Sequence, residues 1–266
     1  MFTVSTINVN GIRAAAKKGF PAWLETTKAD VVALQEVRAE EHQVPEAVTR
    51  VEGWNWVWVP SQVAKGRAGV ALATRAVPQA VRFGFGSAEF DTHGRYVEVD
   101  LPEVTVGSLY LPSGETGTAR QDEKMRFLEE FGAYMREKLD QSRRSGRHFL
   151  VCGDYNIAHT EADLKNWRGN KKTSGFLPEE RQWLSDLYAT GLVDVVRSLH
   201  PDQEGPYSWW SYRGKAFDND AGWRIDVHVA TPDLAASARQ ATVERDASYD
   251  SRMSDHAPVT VTYDIG

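Results

Sequence analysis

The chain has 266 residues, 41% of them hydrophobic, which is enough for a sizeable core and excludes a disordered chain. Its one cysteine, Cys152, lies in an apolar run; this excludes an intrachain disulfide and fits a reducing, cytoplasmic setting. No apolar stretch is long enough to span a bilayer, the first residues enter a strand pattern without a leader, and a net charge of −6 requires any nucleic-acid partner to be met by local basic patches.

Residues 2–9 alternate as a strand and end at Asn8-Val9-Asn10-Gly11-Ile12-Arg13, a glycine turn carrying two amides and a guanidinium. Pro21 stands where a helix begins, continued by Ala22-Trp23-Leu24. Val31-Val32-Ala33-Leu34 reads as a buried strand closed by Gln35-Glu36-Val37-Arg38. Trp54 to Val59 is a strand, and Lys65-Gly66-Arg67-Ala68-Gly69 is a basic turn before the strand Val70-Ala71-Leu72-Ala73. Residues 96–100 and 104–109 alternate, the second run ending at Tyr110-Leu111-Pro112-Ser113-Gly114. Residues 121–139 carry the longest helical pattern, with Leu128, Phe131, Met135 and Leu139 at spacings of three and four and charges between them.

Phe149-Leu150-Val151-Cys152 is a buried strand arriving at Gly153-Asp154-Tyr155-Asn156. If the chain stays extended there, Asp154 and Asn156 point the same way. Taken alone, Gly-Asp-x-Asn reads first as an Asx turn after a strand. Lys165-Asn166-Trp167-Arg168-Gly169-Asn170-Lys171-Lys172 then packs four cations into eight residues. A helix follows from Pro178, with Trp183, Leu184 and Leu187 on one face and Gly191 after its end. An aromatic loop, residues 207–213, precedes Gly222-Trp223-Arg224-Ile225-Asp226 and the strand 227–230. Ser254-Asp255-His256-Ala257-Pro258 precede the last strand, 259–262. With no linker or low-complexity tract, residues 1–266 read as one domain. Many short strands and few helices predict an α/β sandwich with helices outside packed sheets.

Eight polar side chains stand at strand mouths: Asn8, Glu36, Tyr110, Asp154, Asn156, Asp226, Asp255 and His256. If they converge, four carboxylates share one place and need a counter-charge. Oxygen donors without a Cys–His cluster favour a hard divalent cation such as Mg²⁺ over zinc. Asp255 cannot easily orient the ring next to it in sequence, whereas Asp226, from another strand, can do so through Nδ1–H of His256.

The motifs Asn8-x-Asn10-Gly11-Ile12-Arg13, Leu34-Gln35-Glu36, Tyr110-x-Pro112, Gly153-Asp154-x-Asn156, Trp223-Arg224-Ile225-Asp226 and Ser254-Asp255-His256 stand in the order seen in the exonuclease III family. The chain resembles these abasic-site (AP) endonucleases of the endonuclease/exonuclease/phosphatase superfamily, the bacterial branch most of all, from residue 2 to about residue 263. The resemblance implies a four-layer α/β/β/α sandwich and Mg²⁺-dependent cleavage of DNA 5′ to abasic sites, with Mn²⁺ as a possible substitute. It also implies 3′→5′ exonuclease action on duplex DNA and cleaning of blocked 3′ ends, by a monomeric bacterial enzyme of the cytoplasm, associated with the nucleoid through DNA.

Carried over to these positions, Glu36 is the main metal ligand with Asn8 beside it and Asp255 nearby; Asp154, Asn156 and His256 could form a second metal site. Asp154 activates water, Asn156 and Tyr110 contact phosphate, nucleophile or leaving group, and Asp226 orients His256. Trp209, Trp223 and Ile225 match an apolar pocket for a flipped abasic sugar, while Trp210 reads equally well as core. Arg13, Arg38, Arg67, Arg168, Asn170, Lys171 and Lys172 are candidate DNA contacts. Arg67, Ser113 and Thr116 depart from relatives at DNA-facing positions. Two rivals use part of this pattern: a superfamily phosphatase of inositol phosphates or sphingolipids, and a non-catalytic DNA-binding module.

Overall fold

A computed structural model describes residues 1–265. Among them the strands are β1 (Phe2–Asn8), β2 (Val31–Gln35), β3 (Asn55–Val59), β4 (Val70–Thr74), β5 (Ala80–Phe83), β6 (Tyr96–Asp100), β7 (Val104–Tyr110), β8 (His148–Asp154), β9 (Val193–Asp194), β10 (Asp226–Ala230), β11 (Ala238–Val243) and β12 (Val259–Tyr263). They form two six-stranded sheets, in the orders β11-β12-β1-β2-β4-β3 and β5-β6-β7-β8-β10-β9. Each sheet has one parallel pair at its centre, β1 with β2 and β7 with β8, flanked by antiparallel neighbours.

The sheets pack face to face through Val4, Ala33, Leu72, Val99, Val106 and Leu150. On the outer face of the first sheet, Ile7, Val32 and Leu34 meet Ile12, Phe20 and Leu24 of the helices Ile12–Lys17 and Phe20–Thr26. On the outer face of the second, Phe149, Val151 and Val229 meet Phe127, Phe131 and Met135 of the helix Ala119–Ser145, and Leu184 and Leu187 of the helix Pro178–Ala189. This is the four-layer α/β/β/α sandwich that the family resemblance implies. The central strands are therefore covered on both sides, and β1 is buried from Val4 onward despite its alternating pattern. Its polar positions are satisfied inside: Ser5 Oγ lies 2.6 Å from Thr260 Oγ1, and Thr6 Oγ1 donates to Gln35 Oε1 at 3.1 Å. Gln35 Nε2 then donates to Ser108 Oγ on β7 at 3.0 Å, which ties the two sheets together.

Three strands escape the sequence pattern, and all are edge or short. β5 alternates half-buried and exposed residues, β9 has two residues, and β11 is irregular against β12. The long helix extends beyond 121–139 to Ala119–Ser145 because its last turns are polar and carry no apolar period; Gly146, at φ 73°, ends it. Its charges are not all on a solvated face, since Lys124 is fully buried.

Gly153, the residue before the end of β8, takes φ 150° directly against Leu109 of β7, whose backbone N and C would lie 2.9 Å from an added Cβ. The obstruction is backbone within a buried parallel pair, so it cannot move aside. Gly153→Ala is expected to cost more than about 3 kcal/mol, read as a lowered midpoint in urea unfolding; an unchanged midpoint would contradict the close approach.

Candidate active site

The two parallel pairs bring four strand ends to one edge of the sandwich. β1 ends at Asn8, Glu36 follows β2, β7 ends at Tyr110 and β8 ends at Asp154. Side chains at the carboxyl ends of parallel strands are free to face a ligand. The antiparallel β10 begins at the same edge, so Asp226 pairs in register with Asp154. β12 runs antiparallel to β1, and His256, just before it, arrives there too.

One amide joins the first two carboxylates. Asn8 Nδ2 donates to Glu36 Oε2 at 3.1 Å and to Asp154 Oδ2 at 2.9 Å, while its Oδ1 accepts from Asn10 N at 2.9 Å. The nitrogen of Asn8, not its oxygen, therefore faces the acids. Glu36 also takes Arg38 Nη2 on Oε1 at 2.7 Å. Asp154 is buried, and burial, with Asp226 nearby, pushes its carboxyl up to about 7 although the His256 charge and the Asn8 bond oppose this.

The chain does not stay extended after Asp154. Asn156 adopts φ 48°, and its backbone N donates to Asp154 Oδ1 at 2.9 Å. The Asx turn and the convergence of the two side chains are thus one structure. Asn156 Nδ2 donates to Leu111 O at 2.8 Å and to Asp154 Oδ2 at 3.3 Å. Asn10, Glu36 and Arg38 are also left-handed, at φ 45°, 51° and 53°. Such conformations cost on the order of 1 kcal/mol each and gather at functional sites.

His256 Nδ1 lies 2.9 Å from Asp226 Oδ2, and its Nε2 lies 3.9 Å from Asp154 Oδ2. Burial lowers the imidazole's proton affinity, but the Asp226 charge and hydrogen bond outweigh it, raising His256 to about 10. The Asp226 carboxylate thus favours the protonated form of the ring. Ser208 Oγ also donates to Asp226 Oδ2 at 2.6 Å, whereas the buried Asp226 Oδ1 has no partner among the described residues. Asp154, Asp226 and His256 bring three ligand atoms within 4.8 Å, a group that could hold a metal ion. Asp255 is held by Asn10 Nδ2 at 2.8 Å and Trp209 Nε1 at 3.0 Å. Tyr110 lies under the Arg95 guanidinium, 5.2 Å from the ring centroid; burial, with the charges of Glu36 and Asp154, raises its phenol far above the usual range and keeps it a donor.

These groups open into a cleft of about 650 Å³ whose lining includes Glu36, Tyr110, Asp154, Asn156, Asp255 and His256, together with Trp209, Trp223 and Ile225. The two tryptophans meet edge to face, with centroids 6.0 Å apart. Trp210 is core, packed with Tyr207 and Phe217. Lys172 lines the cleft beside Ser113 and Thr116. Arg168 and Lys171 are exposed and sit over the Trp167 ring at 4.4 and 4.7 Å, and Asn170 bonds back to Asn166 O at 3.0 Å. Lys165 is paired with Glu204 at 2.8 Å. Arg67 lines an adjoining cavity of about 640 Å³ that shares Glu36, Arg38 and Tyr110 with the cleft. Arg13 is exposed and donates to Arg38 O at 3.3 Å.

Several supporting residues carry no sequence signal of their own. Ser208 is one of many serines, yet it fixes Asp226; Ser254 Oγ donates to Asn8 O at 2.7 Å and so ties His256's turn to β1.

Residues 5–256 match the Endonuclease/Exonuclease/phosphatase family. The chain is 36% identical to the "Exodeoxyribonuclease" of Bacillus subtilis (strain 168) over 97% of this chain and 98% of that one. It superposes with a TM-score of 0.89 on an AP endonuclease from Archaeoglobus fulgidus, at 29% identity and with full coverage of both chains. It superposes equally, at 30% identity and full coverage, on the 3′ phosphatase NExo from Neisseria bound to a product DNA hairpin. With strand-end acids, an oriented histidine and these relatives in agreement over the whole sandwich, the chain belongs to the Endonuclease/Exonuclease/phosphatase family.

Proposed function

We propose that this protein is a DNA repair nuclease that hydrolyses the phosphodiester 5′ to abasic sites, leaving a 3′-hydroxyl, and that it also digests duplex DNA 3′→5′ and clears blocked 3′ ends. The observation that carries the reading is that the acid–histidine cluster and the Trp209, Trp223 and Ile225 wall open into the same cleft. A baseless sugar fits a narrow apolar wall, and a full nucleotide does not. All these groups come from one chain, so the reading needs no second copy.

Asp154 orients and deprotonates the attacking water, while Asp226 occupies Nδ1 of His256 and favours its protonated form. His256 Nε2–H donates to a phosphate oxygen. Both hydrogens of Asn156 Nδ2 are engaged, so its Oδ1 serves as an acceptor that helps place the water. Tyr110, kept protonated, donates toward the phosphate or the leaving oxygen. The donor set is carboxylate and amide oxygen, with an unpartnered buried Asp226 Oδ1, and this suits a hard cation. Mg²⁺, or Mn²⁺ in its place, would be held by Glu36 with Asp255 near it, and by Asp154 and Asn156 if a second ion binds; it supplies charge neutralisation for the phosphate. Asn8 holds Glu36 beside Asp154. A phosphatase of inositol phosphates or sphingolipids would need neither the cations at 168–172 nor the tryptophan wall.

Asp154→Asn keeps the shape of the site and removes its charge. Turnover on an abasic duplex is expected to fall on the order of 10³-fold or more, with DNA binding kept or tightened; normal turnover of bound DNA would take Asp154 out of the chemistry. Neutralising Arg168, Lys171 and Lys172 together is expected to weaken binding to damaged and intact duplex alike and to flatten the salt dependence by up to about three ion equivalents. An unchanged salt slope would place the segment away from DNA.

A further inference from the structure

Beneath the floor of the cleft lies a second charged assembly. Lys124 and Glu180 are fully buried, and Lys124 Nζ lies 2.8 Å from Glu180 Oε1. The ammonium also donates to Asn156 O at 3.0 Å and to Ser113 O at 3.3 Å. Glu180 Oε2 accepts the backbone N–H of Gly175 at 2.6 Å and of Leu177 at 3.1 Å; its Oε1 accepts Gln121 Nε2 at 2.9 Å and Ser174 Oγ at 3.1 Å. One ion pair thus ties together three segments that reach the cleft: Ser113, Asn156 and the turn from Ser174 to Leu177.

These bonds reach the working surface of the site. Asn156 is left-handed at φ 48°, so its side chain depends on where its backbone is pinned. Gly175, at φ 93°, packs tightly against both: an added Cβ would lie 3.0 Å from Asn156 O and 3.2 Å from Trp223 Cζ3. The turn held by Glu180 therefore supports both Asn156 and the wall of the sugar pocket. A buried ion pair is poor at stabilising a fold, because desolvation offsets its attraction, and an apolar pair of similar size would serve stability as well or better. An apolar pair could not hold two carbonyls and two amides.

We propose that Lys124 and Glu180 are positioning residues for the reaction: the pair fixes Asn156 and the Gly175–Trp223 wall against Asp154. The inference rests on Asn156 belonging to the reacting site. A displacement of about 1 Å at such a site costs on the order of 10²-fold in rate.

The test compares Lys124→Met, Glu180→Gln and the double variant Lys124→Met/Glu180→Met of the full chain, in kcat and KM for abasic-duplex incision and in thermal melting. Leu187→Ala, in the core of the helix that carries Glu180, is the stability control. Each single variant is expected to lower kcat about 10²-fold with KM within about threefold. The double variant, free of an uncompensated buried charge, is expected to melt above Lys124→Met while its kcat stays low. Leu187→Ala is expected to melt lower with kcat nearly unchanged. Recovery of kcat together with melting temperature in the double variant, or an equal kcat loss in Leu187→Ala, would overturn the proposal. Asn156→Ala, run alongside, separates the two readings. Full activity there removes Asn156 from the site and overturns the positioning role with it; low activity there with normal clamp variants overturns the clamp alone.

Discussion

Asp154 and Asp226 are buried side by side, in register across β8 and β10, and the rest of the site compensates their charge. Two carboxylates at such range cannot both stay ionised without donors or a cation. His256 stands between them, Asn8 and the Asn156 backbone donate to one, and Ser208 donates to the other. None of these groups is a neighbour in sequence of the acid that it serves except Asn156. The fold is what makes the charges tolerable, and tolerated charges at a solvent-facing edge are what hydrolysis requires.

The architecture explains why the edge is where it is. Each sheet carries one parallel pair, and the carboxyl ends of both pairs arrive together. The antiparallel strands β10 and β12 start at that same edge and deliver Asp226 and His256. Behind it, Gln35 and Ser108 cross between the sheets, and the Lys124–Glu180 pair anchors the loops. A rigid frame of this kind can hold reacting groups to the sub-ångström tolerance that rate demands.

Much of this was legible in the chain. Buried strands closed by glycine and polar residues announce their own ends, so Glu36, Asp154 and Asp226 could be assigned to strand mouths, and the pairing of Asp226 with His256 followed from which neighbours can reach a ring. The backbone after Asp154 could not be read, because extended and left-handed conformations share the same residue types; Asn156 takes the turn. The edge strands β5 and β9 were invisible, since neither buries a run of apolar side chains. Lys124 looked like part of a solvated helix face, because a buried cation differs from an exposed one only through its distant partner, Glu180. The four cations of 165–172 also looked alike, yet Lys165 is tied to Glu204.

In the proposed function, one cleft combines hydrolysis with recognition of a baseless sugar. Trp223 supplies apolar shape to that cleft and no chemistry, so it separates the two functions. The most direct measurement is the rate of abasic-site incision and of 3′→5′ digestion, on one preparation of Trp223→Ala with a thermal melt to establish folding. Incision is expected to fall more than digestion, with the metal requirement unaltered. Equal losses of both activities in a well-folded variant would contradict it and leave Trp223 as general support for the site.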